Sequence, residues 1–270
     1  MVWTVLFIVA PMLFVIYFAF VDASGNFTFG NIEALTNPNY VKTFGLSVAF
    51  ALIATVICLL IGYPLAFFIS RLKPSKQKLL ILFLMLPMWI SLLIRTYSLM
   101  ALLDDGGLLN SLLEAIGIGR VKILGTPGAV IFGMVYDFLP YMVLPIYTSM
   151  SKLDTRYFEA AEDLGCNGFK TLTKVVLPLT LPGIVSGITM VFVPSISTFY
   201  ISQKLGNGSF NLIGDTIEYN ILNSTTNTVT NLRTYNIGAA ISLVMMILIL
   251  ISVAVMNKFA DDDNGGQLIV

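Results

Sequence analysis

Residues 154–182 read DTRYFEAAEDLGCNGFKTLTKVVLPLTLP and lie between two apolar runs without forming one. Asp154 is placed to cap a helix, and residues 155–164 are good helix formers that put Ala160, Ala161 and Leu164 on one face. Gly165 stands where such a helix ends in a left-handed residue. Gly168 turns the chain into a second short helix, which stops near Pro178. The expected unit is helix, glycine turn, helix, with small residues that let a partner approach closely. An ordinary amphipathic hairpin covering the end of a bundle has the same local pattern.

The runs on either side make this a membrane protein. The chain has 270 residues, 57% of them hydrophobic and 11% charged, against about 25% charge in a soluble domain. About 20 apolar residues cross a bilayer. Six such runs occur, at about 2–21, 44–69, 79–103, 128–149, 181–202 and 237–257. The first is read as a retained helix: it is longer than a signal-peptide core and no basic flank precedes it. Pro182, Pro194 and several serines interrupt the fifth. Pro64, Pro87, Pro140 and Pro145 are expected to kink their helices. The expected class is an all-α membrane protein of six transmembrane helices, with a cytoplasmic helical hairpin between helices four and five. Residues 1–260 form one transmembrane domain, and 261–270 a short, disordered acidic tail.

Lys and Arg set orientation. Arg71, Lys73, Lys76, Lys78, Lys152, Arg156, Lys170, Lys174 and Lys258 put nine on one side; Lys42, Arg120, Lys122, Lys204 and Arg233 put five on the other. The richer loops, at 70–78 and 150–180, and both termini are therefore read as cytoplasmic. The loops at 22–43, 104–127 and 203–236 are read as external. The last carries Asp215, Glu218 and Tyr219, read as an external gate, a partner dock or a plain connector.

Several functions fall away. Net charge is zero, so nothing in bulk favours nucleic acid. There is no histidine, hence no H-E-x-x-H, and neither G-x-x-x-x-G-K-[ST] nor G-x-S-x-G occurs. Cys58 lies in an apolar run and Cys166 in the loop, so neither suggests a disulfide or a metal site. Tyr136-Asp137 inside a span has the form of one half of an intramembrane aspartyl dyad. Its partner motif is missing, because Gly214-Asp215 has Leu at 212 and lies in a loop.

Arg95 and Asp137 are the deep charges, and each needs a reason to be there. They could pair across helices three and four, or line a substrate path. Tyr136 precedes Asp137, and Tyr141 follows it by four positions on the same helical face. A carboxylate beside aromatic rings suits an organic ammonium through ion pairing and cation–π contact. Arg95 would repel that cation unless it turned away or snorkelled to the interface.

The loop resembles that of bacterial ABC-importer permeases, whose pattern is EAA, three residues, Gly, nine residues, Ile, one residue, Leu-Pro. Glu159, Ala160 and Ala161 are followed at that spacing by Gly165, Val175 in place of Ile, Leu177 and Pro178. The resemblance implies that these residues dock on a separate ATPase subunit, so that this chain neither binds ATP nor is an enzyme. Other runs are similar to spermidine/putrescine importer permeases, first-permease type. They are IGYPLA at 61–66, LPMWISLLIRTYSL at 86–99, VYDFLPYMVLPIY at 135–147, and FYISQKLG with NLIGDTI within 199–217. Members of that family tend to carry an acidic residue where Gln203 stands, which removes one candidate amine contact. The resemblance implies ATPase subunits, a second permease and an external solute-binding protein as partners, in a bacterial cytoplasmic membrane. The solute could instead be another small molecule. A secondary transporter is the other alternative, but it would show inverted repeats and several midplane acids.

Overall fold

The computed structural model describes residues 2–154, 156–222 and 229–265. These form a helical bundle, and among them the one β feature is an isolated bridge between Val21 and Phe27. Helix α1 spans 2–19 with a π-helical turn at Val5–Val9, and α2 runs Pro38–Ser70. Helix α3 (Pro74–Met85) ends in a 3₁₀ turn, Leu86–Trp89, before α4 (Leu92–Leu103) and α5 (Leu108–Ala115). Helix α6 is Pro127–Met150 and α7 is Arg156–Asp163; α8 covers 168–179 with a π turn at Leu172–Val176. Then follow α9 (Leu181–Ser197), α10 (Tyr200–Leu205), α11 (Ile213–Leu222) and α12 (Val229–Gly265).

Three helices are individually long and apolar enough to cross a bilayer: Pro38–Ser70, Pro127–Met150 and Arg233–Met256. Two bent pairs have the length and composition of a broken span or a re-entrant loop, Pro74–Trp89 with Leu92–Ala115 at 92° and Leu172–Leu179 with Leu181–Ser197 at 68°. Val5–Ala19 is a shorter apolar helix. The run expected as one span over 79–103 is thus divided. Pro87 sits in the 3₁₀ turn, and Ile90 and Ser91 are extended, with ψ of 137° at both. Proline removes a helical donor there, and the freed backbone leaves the helix. Pro64, Pro140, Pro145 and Pro194 lie inside helices that continue through them. Membrane bundles tolerate this because neighbouring groups re-satisfy the freed carbonyls. The fifth run ends at Ser197 rather than 202, where the chain turns extended at Thr198. The expected disordered tail is corrected in part. Helix α12 continues through Asp261, Asp262 and Asp263 to Gly265, because no proline or glycine stands between Gly238 and Gly265; 266–270 lie outside the described residues.

Helices α2, α6 and α9 pack mutually and form the main core, with Cys58, Met134, Met142, Val143, Ile146 and Val191 fully buried. In lipid the outer solvent is as apolar as leucine, so this association depends on close fit. Gly183 and Gly187, a G-x-x-x-G pair on α9, supply that fit against α6. A Cβ at Gly183 would meet Ser149 Oγ at 2.4 Å and Pro145 O at 2.8 Å; one at Gly187 would meet Met142 Sδ at 2.8 Å. A second core joins α1, α11 and α12 through Ala19, Ile213, Ala240 and Ile241. Polar clamps close this side: Asn31 Nδ2 donates to Ala19 O and Val21 O, and Asn236 Nδ2 donates to the same Val21 O at 2.8 Å. The Ala19 carbonyl at the end of α1 and the Val21 carbonyl just beyond it are thereby paired.

Candidate coupling loop and substrate pathway

Asp154 starts α7 as the sequence leads one to expect, its Oδ1 accepting from Arg156 N–H at 3.0 Å. Gly165 ends it with φ +72°. Cys166 N–H donates to Ala161 O at 2.9 Å, the six-to-one bond of a Schellman cap with Gly165 as its left-handed residue. The next turn is capped by Asn167, whose Oδ1 accepts from Lys170 N–H at 2.9 Å. The expected common face of Ala160, Ala161 and Leu164 is split. Ala161 is buried, three residues on from the half-buried Phe158, while Ala160 and Leu164, four apart, are exposed. One stripe holds α7 to the bundle and the other is left outward, with Leu164 83% exposed and Tyr157 51%. An exposed leucine at the end of a polar helix is a surface with an unmet apolar demand.

The inner stripe is tied to the body through Phe158, and the helix ends around it are cross-linked to one another. The Arg71 guanidinium lies 4.0 Å from the centre of the Phe158 ring, linking α7 to the end of α2. Gln77 Nε2 donates to Ser70 O and Leu72 O, while Tyr147 Oη on α6 donates to Gln77 Oε1 at 2.9 Å. Tyr63 Oη and Thr180 Oγ1 stand 3.3 Å apart, joining α2 to the break between α8 and α9. Of the remaining motif residues, Glu159 is exposed, Val175 and Pro178 lie on α8, and Leu177 is 38% exposed.

Deep in the bundle the structure brings Arg95 and Asp137 together. Arg95 Nη1 of α4 lies 2.8 Å from Asp137 Oδ1 of α6, with side-chain exposures of 9% and 1%. The contact is a charge contact off the line of a good hydrogen bond. Arg95 Nε and both Asp137 oxygens have no aligned partner among the described residues. Each charge therefore depends on the other. Tyr136 and Tyr141 are not drawn into this pair: they are 39% and 36% exposed, and Tyr141 tilts against Phe138 with ring centres 6.3 Å apart.

The second polar cluster joins α10 and α11 and was only partly legible in sequence. Asp215 accepts from Ser202 Oγ at 2.8–2.9 Å and from Leu212 N–H at 2.8 Å. Ser47 Oγ of α2 accepts from Ile213 N–H at 2.7 Å. Two orphan donors at the start of α11 are thereby paired. Burial pushes the Asp215 carboxyl up to about 6 despite the Leu212 and Ser202 hydrogen bonds. One turn on, Glu218 accepts from Gln203 Nε2. Sequence reading placed Asp215 and Glu218 in one loop without separating them; the fold buries the first as a cap and leaves the second facing a cleft. The G-x-x-x-G pair Gly183/Gly187 went unnoticed, though its spacing in an apolar run is itself a packing signal.

The structure is similar to a bacterial ABC transporter involved in import of the acidic polysaccharide alginate, with TM-score 0.80 at 16% identity, covering 97% of this chain and 92% of that one. It is also similar to a bacterial alginate ABC transporter in complex with an alginate pentasaccharide-bound periplasmic protein, with TM-score 0.77 and coverage of 96% and 90%. In sequence, the chain is 39% identical to the spermidine/putrescine transport system permease protein PotB of Haemophilus influenzae over 91% of this chain and 86% of the relative. It is 39% identical to the protein of that name from Escherichia coli K12, over 91% and 89%. The model of the binding-protein-dependent transport system inner membrane component matches residues 60–262. On a bundle of broken apolar helices carrying an outward-facing capped hairpin, these matches converge: the chain is a multi-pass membrane protein and belongs to the family of binding-protein-dependent transport system inner membrane components.

Proposed function

We propose that this chain is a permease subunit of an ATP-driven importer of polyamines, spermidine or putrescine. The observation that carries the substrate is 39% identity, over nine-tenths of the chain, to permeases named for those amines. The fold does not carry it, because similar folds serve alginate importers. In this reading the chain crosses the membrane six times with both termini in the cytoplasm. It pairs with a second permease, two ATPase subunits and a solute-binding protein. ATP is bound and hydrolysed by the partner ATPases, and this chain holds no cofactor or metal.

The hairpin of α7 and α8 is the proposed coupling element. Glu159, Ala160 and Leu164 offer an exposed stripe to the ATPase, Gly165 sets the turn, and Val175, Leu177 and Pro178 carry motion towards α9. The ATPase shifts the bundle between inward-open and outward-open states only if its contacts differ between them. A hairpin held on one stripe through Ala161 and the Arg71–Phe158 contact, and free on the other, suits that requirement. Asp137, Arg95, Tyr136 and Tyr141 are proposed to border the substrate path. Arg95 neutralises Asp137 in the present conformation, so Asp137 meets an ammonium only when that pair opens.

The test is uptake of labelled spermidine and putrescine into proteoliposomes containing this chain with its genomic neighbours. ATP-dependent uptake that is lost in Gly165→Asp is expected. Binding-protein-stimulated ATPase activity without amine uptake would discard polyamines and keep the importer. Failure to assemble with any ATPase would discard both.

A further inference from the structure

The Arg95–Asp137 pair is closed on itself, so a cationic substrate needs another carboxylate, and the structure offers one. Beside the broken end of α9 lies an open cleft of about 500 Å³, lined by Leu92, Phe138, Thr198, Phe199, Tyr200 and Glu218 among others. Three features that favour a cation converge there. The first is the Glu218 carboxylate, half-buried on α11 and bound by Gln203, a neutral donor that leaves its charge in place. The second is the C-terminal end of α9, a 17-residue helix that stops at Ser197 with Thr198 extended, and whose last carbonyls carry the negative end of the helix dipole. Gly214 lets α11 approach that end closely, since a Cβ there would meet Ser197 O at 2.7 Å and Thr198 O at 2.9 Å. The third is aromatic: Phe199 is 39% exposed, and the Tyr200 ring takes part in an ammonium contact within the chain itself. Lys204 Nζ stands 5.7 Å from the Tyr200 ring centre and 5.3 Å from that of Tyr97.

We propose that this cleft binds one protonated amine of the substrate, with Glu218 as counter-ion, the negative end of the α9 dipole beside it, and Phe199 and Tyr200 as cation–π faces. The proposal rests on the polyamine-importer reading. It adds which carboxylate is free to act and excludes Asp137 from that role while Arg95 holds it. A polyamine held by one ammonium at Glu218 runs its apolar methylenes along Leu92 and Phe138.

Equilibrium binding of radiolabelled spermidine to the assembled transporter, trapped with vanadate and without the binding protein, tests it. Wild type is expected to bind, Glu218→Gln to lose affinity about tenfold or more, and Glu218→Asp to retain most of it. Glu218→Gln keeps an acceptor for Gln203, and co-purification of the ATPase subunits and second permease in wild-type proportion verifies that its assembly is intact. Undiminished binding by Glu218→Gln would overturn the proposal. So would a wild type that imports spermidine yet binds none when trapped. A wild type that neither binds nor imports any polyamine would instead remove the substrate reading beneath it.

Discussion

Gly165 holds φ +72° at the end of α7, a conformation that costs a residue bearing Cβ about 1–2 kcal/mol. No neighbour lies within 4 Å of the Cβ position, so the penalty is backbone strain and not a clash. Gly165→Ala is therefore expected to leave insertion intact but loosen the hairpin, with ATP-driven uptake lowered and ATPase co-purification weakened. Full uptake with full co-purification would refute the coupling role of this turn. Arg95 and Asp137 behave differently, because each is buried with the other as its compensating charge. Arg95→Met strands the carboxylate and is expected to cost about 3–5 kcal/mol, whereas Arg95→Met with Asp137→Leu regains most of it. Melting of the detergent-solubilised transporter reads this out. Should the double variant also transport at the wild-type rate, the pair has no part in the substrate path.

At the scale of elements, α9 meets α6 through Gly183 and Gly187, where the helices touch closely enough to exclude a side chain. Gly187→Leu is expected to push α9 off Met142 and abolish stable expression; a normally assembled, active variant would refute close packing there. Helix α11 depends instead on Asp215. Its carboxyl, pushed up to about 6 from an ordinary 3.8, retains in the fold a proton that the unfolded chain releases. Stability is thus expected to fall as pH rises from about 4 to about 6, and Asp215→Asn to flatten that dependence. The check is melting temperature against pH, and parallel curves for the two proteins would refute the assignment.

For the whole molecule, the decisive contrast is between an ATP-driven subunit and a self-powered carrier. Uptake by the reconstituted transporter is expected to survive collapse of proton and sodium gradients by ionophores and to stop when ATP is withheld. The opposite result would replace the importer with a secondary transporter.

Much of this was legible in the residues. Low charge and repeated apolar runs specify membrane helices, because a bilayer rejects polar backbone unless it is folded on itself. The spacing from Glu159 to Pro178 specifies the capped hairpin, since helix starts and left-handed stops are local chemistry. The break at Pro87 and the course of the chain through Pro64, Pro140 and Pro145 were not legible, because neighbouring helices decide whether a proline bends a span or is absorbed by it. Nor could the sequence assign the carboxylates. Asp137, Asp215 and Glu218 are equally acidic as letters. Pairing with Arg95 closes the first, hydrogen bonds from Ser202 and Leu212 make the second a cap, and a break in α9 leaves the third facing a cleft. Local composition determined the elements and the membrane. Which charge is free to act was decided by contacts between helices far apart in the chain, and only the tertiary structure supplies those.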